Sequence, residues 1–373
     1  MIPIILLSVF GVINLFLGFL KSNRIIMPAV IVFLAVVLAF NFQDWNAAPQ
    51  NYFNNMLTVD RFSVAFSAVM VLSLVLIVPF SQSYIKAENP HLAEFYTLMM
   101  FALVGAVMMV TYNNMLMLFI GIEIVSISMY VLAGSHKKQL RSNEAALKYF
   151  LMGAFATGIL LFGITLIYGA TGSFDITLIS AASGFDTTMP LMEVGVLMLL
   201  IGISFKIGAA PFHFWTPDVY EGTPTLFTSF MSTVVKTAGI AAFYKLVNAV
   251  FPGLHEFWYP TMVAITVLTL VLGNLGAATQ TNFKRMLAYS SISHAGYLLM
   301  SLVAFNELSR NAIFFYSLAY TISTVAAFGV LKLVADQRND ENYGAFNGLG
   351  KTNPLLAFTM TVAMCSLAGI PLT

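Results

Sequence analysis

Charge is what this sequence has least of. Acidic and basic residues together make up 9% of its 373 residues, hydrophobic residues 59%, and the mean hydropathy is +0.86. A soluble domain averages about 25% charged residues, so this chain lacks the polar surface to cover itself in water. Its excess apolar area must face lipid. The net charge of +1 supplies no field for a nucleic acid or an acidic partner. Cysteine is nearly absent: Cys365 stands alone in an apolar run, which supports neither a disulfide framework nor a metal or iron–sulfur site. No glycine-rich dinucleotide fingerprint, phosphate-binding loop or metal-ligand spacing occurs, so nucleotide and metal chemistry must be supplied by other polypeptides, if at all. The opening run MIPIILLSVFGVINLFLGFL has no basic segment ahead of it and no small-residue cleavage site before Lys21. It reads as a first spanning helix, not a removed signal peptide.

What the chain has in abundance is apolar runs of spanning length. A span needs about 20 mainly apolar residues. That criterion predicts an all-α polytopic membrane protein with about twelve spans, near 2–20, 25–43, 62–80, 94–112, 114–134, 145–170, 189–216, 224–251, 258–281, 286–305, 311–335 and from 354 onward. The connections are short, the longest polar one being 336–353, and leave no room for a soluble catalytic domain. One set of alternate loops carries Lys21, Arg24, Lys86, Lys137, Lys138, Arg141, Lys284, Arg285, Arg338 and Lys351, whereas the other holds little beyond Arg61 and Arg310. The positive-inside rule makes the first set cytoplasmic and places the N-terminus outside. The last run stops at SLAGIPLT inside an apolar helix, and the natural chain is expected to continue.

Against this background the ionisable residues inside the spans stand out. Glu123, Lys206, Lys236 and His294 each fall near the middle of a different apolar run. A lone charge at that depth costs roughly 2.5–3.5 kcal/mol, so such groups face the bundle interior and find partners. Static ion pairs would be the plain structural account, yet one acid cannot neutralise two lysines, and the histidine adds a third basic site. Groups sharing one depth on several helices suit a proton relay along the membrane plane. Lys245 reads equally as a snorkelling lysine or a relay member. Glu144 and Lys148, at i and i+4, read first as a local helix pair, with Glu144 a further relay candidate. Glu193 reads as an interfacial carboxylate. Pro211, five residues after Lys206, removes a backbone donor and frees the carbonyl near Ile207. Within a membrane such a break survives only where protein or water satisfies the freed groups, and breaks of this kind mark ion sites in transporters. Pro371 is a candidate second break. His213 divides between interfacial packing and proton uptake. Hydroxyls gather near His294 (Tyr289, Ser290, Ser291, Ser293) and near Lys236 (Ser229, Ser232, Thr233, Thr237), where they can bond back to the helix or hold relaying water.

The runs LFIGIEIVSISMYVLAG, FKIGAAPFHFWTPDVYEGTPT, STVVKTAG and NFKRMLAYSSISHAGYLL together resemble the antiporter-like N-subunit family of bacterial complex I, the NADH:quinone oxidoreductase. The likeness covers nearly the whole chain. The sister L and M types read WLPDA where this chain has Trp215-Thr216-Pro217-Asp218-Val219, and they lack a lysine in the STVVKTAG context. The resemblance implies about fourteen helices in the whole family member, built as inverted repeats with broken helices. It divides this chain into N-terminal helices over 1–93, a first repeat over 94–251 and an incomplete second repeat over 258–373. It further implies that Glu123 is the paired glutamate, Lys206 the central lysine on a broken helix, Lys236 the next carrier and His294 the link to the second half. The family's further lysine lies beyond the second broken-helix proline, past Thr373. The function implied is proton translocation in the bacterial inner membrane, driven by electron transfer elsewhere: separating ionised Glu123 from Lys206 releases a proton toward Lys236 and the outer side. FMN, iron–sulfur clusters and quinone would reside in partner subunits, with M-type and K-type subunits as neighbours. Two other readings stay open at this point, a subunit of a multisubunit sodium/proton antiporter and a membrane scaffold with static ion pairs.

Overall fold

A computed structural model describes residues 1–20, 24–83, 91–182 and 189–370. Lys21, Lys86 and Pro371, named above, lie outside the described residues. The chain is a helical bundle: α1 (Ile2–Leu17), α2 (Ile26–Asn41), α3 (Arg61–Ile77), α4 (Leu92–Thr111), α5 (Met115–Ala133), α6 (Leu140–Thr171), the short α7 (Ile176–Ala182), α8 (Met189–Ile207), α9 (Trp215–Gly222), α10 (Thr225–Val250), α11 (His255–Ala278), α12 (Phe283–Ala304), α13 (Ser309–Arg338) and α14 (Pro354–Leu367). Ten helical segments among the described residues are long and apolar enough to cross a membrane, and α1 and α14 are shorter apolar helices. All twelve runs picked out by hydropathy therefore hold helices, though one of them, 189–216, is broken.

Polar caps set several of the boundaries. Asp60 and Ser63 form a reciprocal capping box at the start of α3, with Ser63 N donating to Asp60 Oδ1 at 2.8 Å and Asp60 N to Ser63 Oγ at 2.9 Å. The side chains of Asn114, Asn282 and Asn353 cap α5, α12 and α14 in the same sense. One departure from an all-helical chain is a hairpin between α2 and α3, β1 (Gln50–Tyr52) antiparallel to β2 (Leu57–Val59). Its turn places Phe53, Asn54 and Asn55 at positive φ, a conformation that asparagine tolerates better than most residues.

Helix α10 lies at the centre. Its whole apolar window is buried, and α3, α4, α8, α12 and α13 pack around it. The windows of α6 and α11 are only 33% and 28% buried, and residues such as Phe155, Leu151 and Leu275 point outward into the lipid-facing surface. With no water to expel between helices in lipid, such pairs depend on close packing. Where α6 crosses α8, Gly163 and Gly195 lie against each other's backbones, and a Cβ at either would sit within 3.0 Å of the facing carbonyl.

The structure corrects the run 189–216, which is not one helix. Helix α8 ends at Ile207, and α9 starts at Trp215. Lys206 is therefore in the last turn of a half-helix, not the middle of a continuous span. Lys284, counted by sequence as a loop charge, is instead the second residue of α12 and buried.

Candidate functional site

The site is built around the interruption between α8 and α9. Pro211 cannot donate a hydrogen bond and its ring conflicts with the carbonyl four residues earlier, that of Ile207, where α8 ends. Gly208 follows at φ +72°, a left-handed conformation natural to glycine. Several of the backbone groups at the break find partners within the protein. Phe205 O accepts from Gly208 N at 3.0 Å and from the Trp215 indole Nε1 at 3.1 Å. Ala210 N donates to Thr269 Oγ1 of α11 at 2.9 Å. These bonds are how a broken helix can exist at membrane depth.

Lys206 is 5% exposed, and its ammonium donates to Ser126 Oγ of α5 at 2.5 Å. The ring of Tyr149 from α6 lies 5.9 Å from Nζ and stacks on Trp215 at 4.7 Å, tying the lysine to the far side of the break. Glu123 stands one turn before Ser126 on α5, but no ion pair within 4 Å joins it to Lys206 among the described residues. Its buried Oε1 has no hydrogen-bond partner.

Lys236 is 3% exposed and follows a stretch of α10, Met231–Val235, that is widened into a π-helical turn. Such turns are frequent at functional sites. The ammonium donates to both the carbonyl and the hydroxyl of Ser291 on α12. Ser291 Oγ also accepts from Ser232 at 3.3 Å and from Tyr320 OH of α13 at 3.0 Å, while Ser232 and Tyr320 share a hydrogen bond of 2.7 Å. One turn along α12, His294 pairs through Nδ1 with Tyr316 OH at 2.6 Å, and its ring lies 4.9 Å from that of Tyr320. Lys236, Ser291, Tyr320 and His294 thus form one contiguous polar cluster. Lys206 and Lys236 sit on helices in direct contact, since a Cβ on Gly239 of α10 would lie 2.7 Å from Ile207 Cγ2.

The other candidates are placed apart from this centre. Lys245 is half-buried, donates to the backbone carbonyl of Tyr112 and lies 4.9 Å over its ring. His213 lies within the break, buried, with an unpartnered Nδ1 and its ring 4.8 Å from that of Phe214. Glu144 does pair with Lys148 at 2.7 Å, but the pair is one end of a larger network. Lys148 also meets Asp218 of α9 at 2.8 Å, and Arg285 of α12 meets Asp218 and Glu221, each at 2.8 Å.

Sequence reasoning passed over Ser126, Tyr149, Tyr316 and Tyr320, because hydroxyls and aromatic rings are ordinary in apolar helices and only tertiary contact distinguishes these. It also passed over a polar cleft of about 600 Å³ at the end of the bundle, lined by His136, Arg141, Glu221, Lys284, Lys332 and Glu341 among others. His136, in the loop between α5 and α6, is held below its ordinary pKa, mainly by burial, with Lys284 and Lys332 adding to the effect. No group of three His, Cys, Asp or Glu among the described residues is placed to hold a metal ion.

Comparison with known proteins agrees with this fold. Residues 112–373 match the family described as NADH:quinone oxidoreductase/Mrp antiporter, TM. A protein of Flavobacterium psychrophilum named NADH-quinone oxidoreductase subunit N is 42% identical over 368 residues, covering 99% of this chain and 80% of its own length. Among solved structures, a chain of respiratory complex I from Thermus thermophilus superposes with a TM-score of 0.81 at 33% identity, covering 99% of this chain and 79% of that one. A chain of an archaeal membrane-bound sulfane sulfur reductase gives a TM-score of 0.88 at 25% identity, covering 99% and 78%.

Proposed function

The chain belongs to the NADH-quinone oxidoreductase subunit N family, and from that membership we propose that Lys206, Lys236 and His294, with Glu123, carry protons across the membrane. The protein is a multi-pass membrane subunit of respiratory complex I, a proton-translocating enzyme in which other complex I subunits are its partners. One observation carries the residue assignment. Two lysines are buried on adjacent helices, and each ammonium is held by neutral oxygens instead of a carboxylate. A locked ion pair would hold its proton, whereas an ammonium on a serine can pass its proton on at modest cost.

In this reading, electron transfer in partner subunits moves a charged axis through the membrane arm. Ionised Glu123 drawn close to Lys206 holds the lysine protonated. Withdrawing it leaves Lys206 on Ser126, and the proton passes by way of Lys236 toward the outer side. Ser126 acts as the resting acceptor, and Ser291 with Tyr320 and Ser232 receives at Lys236. His294 continues the line toward the second half. Lys245, His213 and Glu144 are secondary members of the pathway. We take residues 94–251 as the first antiporter-like repeat and 258–373 as part of the second. The end that carries Lys137, Lys138, Arg141, Lys284 and Arg285 faces the cytoplasm, which puts the N-terminus outside a bacterial inner membrane. FMN, iron–sulfur clusters and quinone are assigned to partner subunits, and M-type and K-type subunits to the two flanks.

The test is NADH-driven proton uptake into inverted vesicles that contain the whole complex. Glu123→Ala and Lys206→Ala should assemble yet lose pumping and most of the coupled quinone reductase activity. A scaffold with static pairs predicts normal pumping in both. Sodium-dependent transport in the absence of NADH would instead support an antiporter.

A further inference from the structure

Lys284 forms the floor of the polar cleft. Its ammonium is 3% exposed as a residue and donates to Thr223 O at 2.7 Å, Glu221 O at 3.1 Å and Glu341 Oε1 at 3.3 Å. The same carboxylate oxygen accepts from Thr225 Oγ1, the first residue of α10, at 3.4 Å. From there a stripe of hydroxyls runs into the bundle. Thr225, Ser229, Ser232 and Lys236 follow one another at intervals of four, three and four residues, which puts them on one face of α10. At 1.5 Å per residue the stripe covers about 16 Å. All four are at most 9% exposed.

Helix α13 covers this face from the other side. Tyr320 meets Ser232 at 2.7 Å, and Thr324, one turn nearer the cleft, is buried with an unpartnered hydroxyl. A hydroxyl in a spanning helix usually bonds back to its own helix, as Thr233 does to Ser229 O at 2.8 Å. The buried hydroxyls of Ser229 and Thr321, and that of Thr223 at the mouth, make no such bond. Each can accept one hydrogen bond and donate another, which is what a proton-hopping chain needs at every step.

We propose that this seam between α10 and α13 is a second proton-uptake route, which loads Lys236 from the cleft alongside the transfer from Lys206, with Glu341 as the collecting carboxylate. The route rests on the reading of Lys236 as a proton carrier. Lys284 has no lone pair when charged and so cannot relay; it holds the Glu341 carboxylate over the mouth as a positioning residue. A proton taken onto the Glu341 carboxylate moves to the Thr225 hydroxyl oxygen, which gives up its own proton through bridging water to Ser229, and water likewise spans the step from Ser229 to Ser232. The same exchange passes through Ser232 and Tyr320 to Ser291, and ends on the lone pair of a neutral Lys236 amine. No covalent bond other than O–H and N–H changes, and each oxygen returns to its starting state after a reverse reorientation.

The experiment uses the complete complex in inverted vesicles, with Lys236→Met as the reference. A Thr225→Val/Ser229→Val double variant and Glu341→Gln should each lower NADH-driven proton pumping and leave only the share delivered through Lys206. Ser229→Thr, which keeps the hydroxyl, should pump like the parent. If the double variant fails to assemble, Glu341→Gln at the cleft and Ser229→Ala, which removes one oxygen, decide the matter in its place. Pumping at the parent rate in these variants while Lys236→Met abolishes it would overturn the uptake route alone. Pumping retained in Lys236→Met would instead remove the reading on which the route rests.

Discussion

Replacing Thr269 by valine is a direct probe of how the helix break is held. Thr269 is fully buried on α11, accepts from Ala210 N at 2.9 Å and donates to Ile265 O at 2.6 Å. Valine nearly matches its shape, so packing changes little, while the one acceptor that the structure gives the Ala210 N–H is lost. Leaving a buried donor unsatisfied costs about 1–3 kcal/mol, and the carbonyl of Ile265 keeps its helical partner. At 1.4 kcal/mol per tenfold, the ordered break should lose population by roughly 5- to 140-fold relative to loosened arrangements. The break carries Lys206 in its last helical turn, so the loss should appear as reduced NADH-driven proton pumping in assembled complex, with a lower thermal transition of the membrane arm. Thr269→Ser, which keeps the oxygen, should recover both. A valine variant with parental pumping and melting would show that the break does not depend on this bond, and the reasoning about satisfied backbone groups would fail at its most explicit point.

Three further outcomes follow from contacts elsewhere. Gly239→Val should destabilise the bundle by about 1–3 kcal/mol through collision with Ile207 Cγ2, and Ile207→Ala in the same chain should recover part of it, both read from thermal unfolding. For the Lys148–Asp218 pair, which is 40% and 36% exposed, a double-mutant cycle with Lys148→Met and Asp218→Asn should give a coupling of about 0.2–1 kcal/mol; a larger cost for Asp218→Asn alone would trace to Arg285 losing the same carboxylate. Asp175 lies in the loop before α7. Burial pushes its carboxyl up, but hydrogen bonds from Thr177, Asn55 and the backbone outweigh that and hold its pKa below the ordinary value. A lowered folded pKa means stabilisation that is present above the ordinary carboxylate range and lost as pH falls through the folded value. Asp175→Asn should therefore cost about 0.5–1 kcal/mol at neutral pH, with the gap to the parent closing in acid; a gap independent of pH would contradict this.

The membrane architecture was legible in the sequence because apolar runs of spanning length have few other uses, and every predicted run holds a helix, with 189–216 alone broken. Glu123, Lys206, Lys236 and His294 stood out as candidates for the converse reason: a charge in such a run is costly. Pro211 announced the break, but hydropathy carried the helix on to residue 216, since Phe212, Phe214 and Trp215 are as apolar as a helix interior. The chain departs at Ile207 because the proline ring acts one turn upstream. Ser126 and Tyr149, which hold Lys206, and Tyr320, which holds Lys236 through Ser291, come from segments about 55 to 85 residues away, and no local pattern marks them. The same is true of Lys284. Its position looked like a loop charge, yet carbonyls at the end of α9 and the Glu341 carboxylate draw it inside. The resemblance made Glu123 the partner of Lys206, whereas the two are not in ion-pair contact within 4 Å, Ser126 taking the lysine instead.

The central claim is that protons cross the membrane through Lys206 and Lys236 of this chain. It is tested most directly by the number of protons pumped per NADH oxidised in vesicles containing the assembled complex with Lys206→Ala. The account predicts that this number falls and that coupled quinone reduction falls with it, while the flavin and iron–sulfur subunits still co-purify. An unchanged number of protons per NADH in fully assembled Lys206→Ala complex would contradict it.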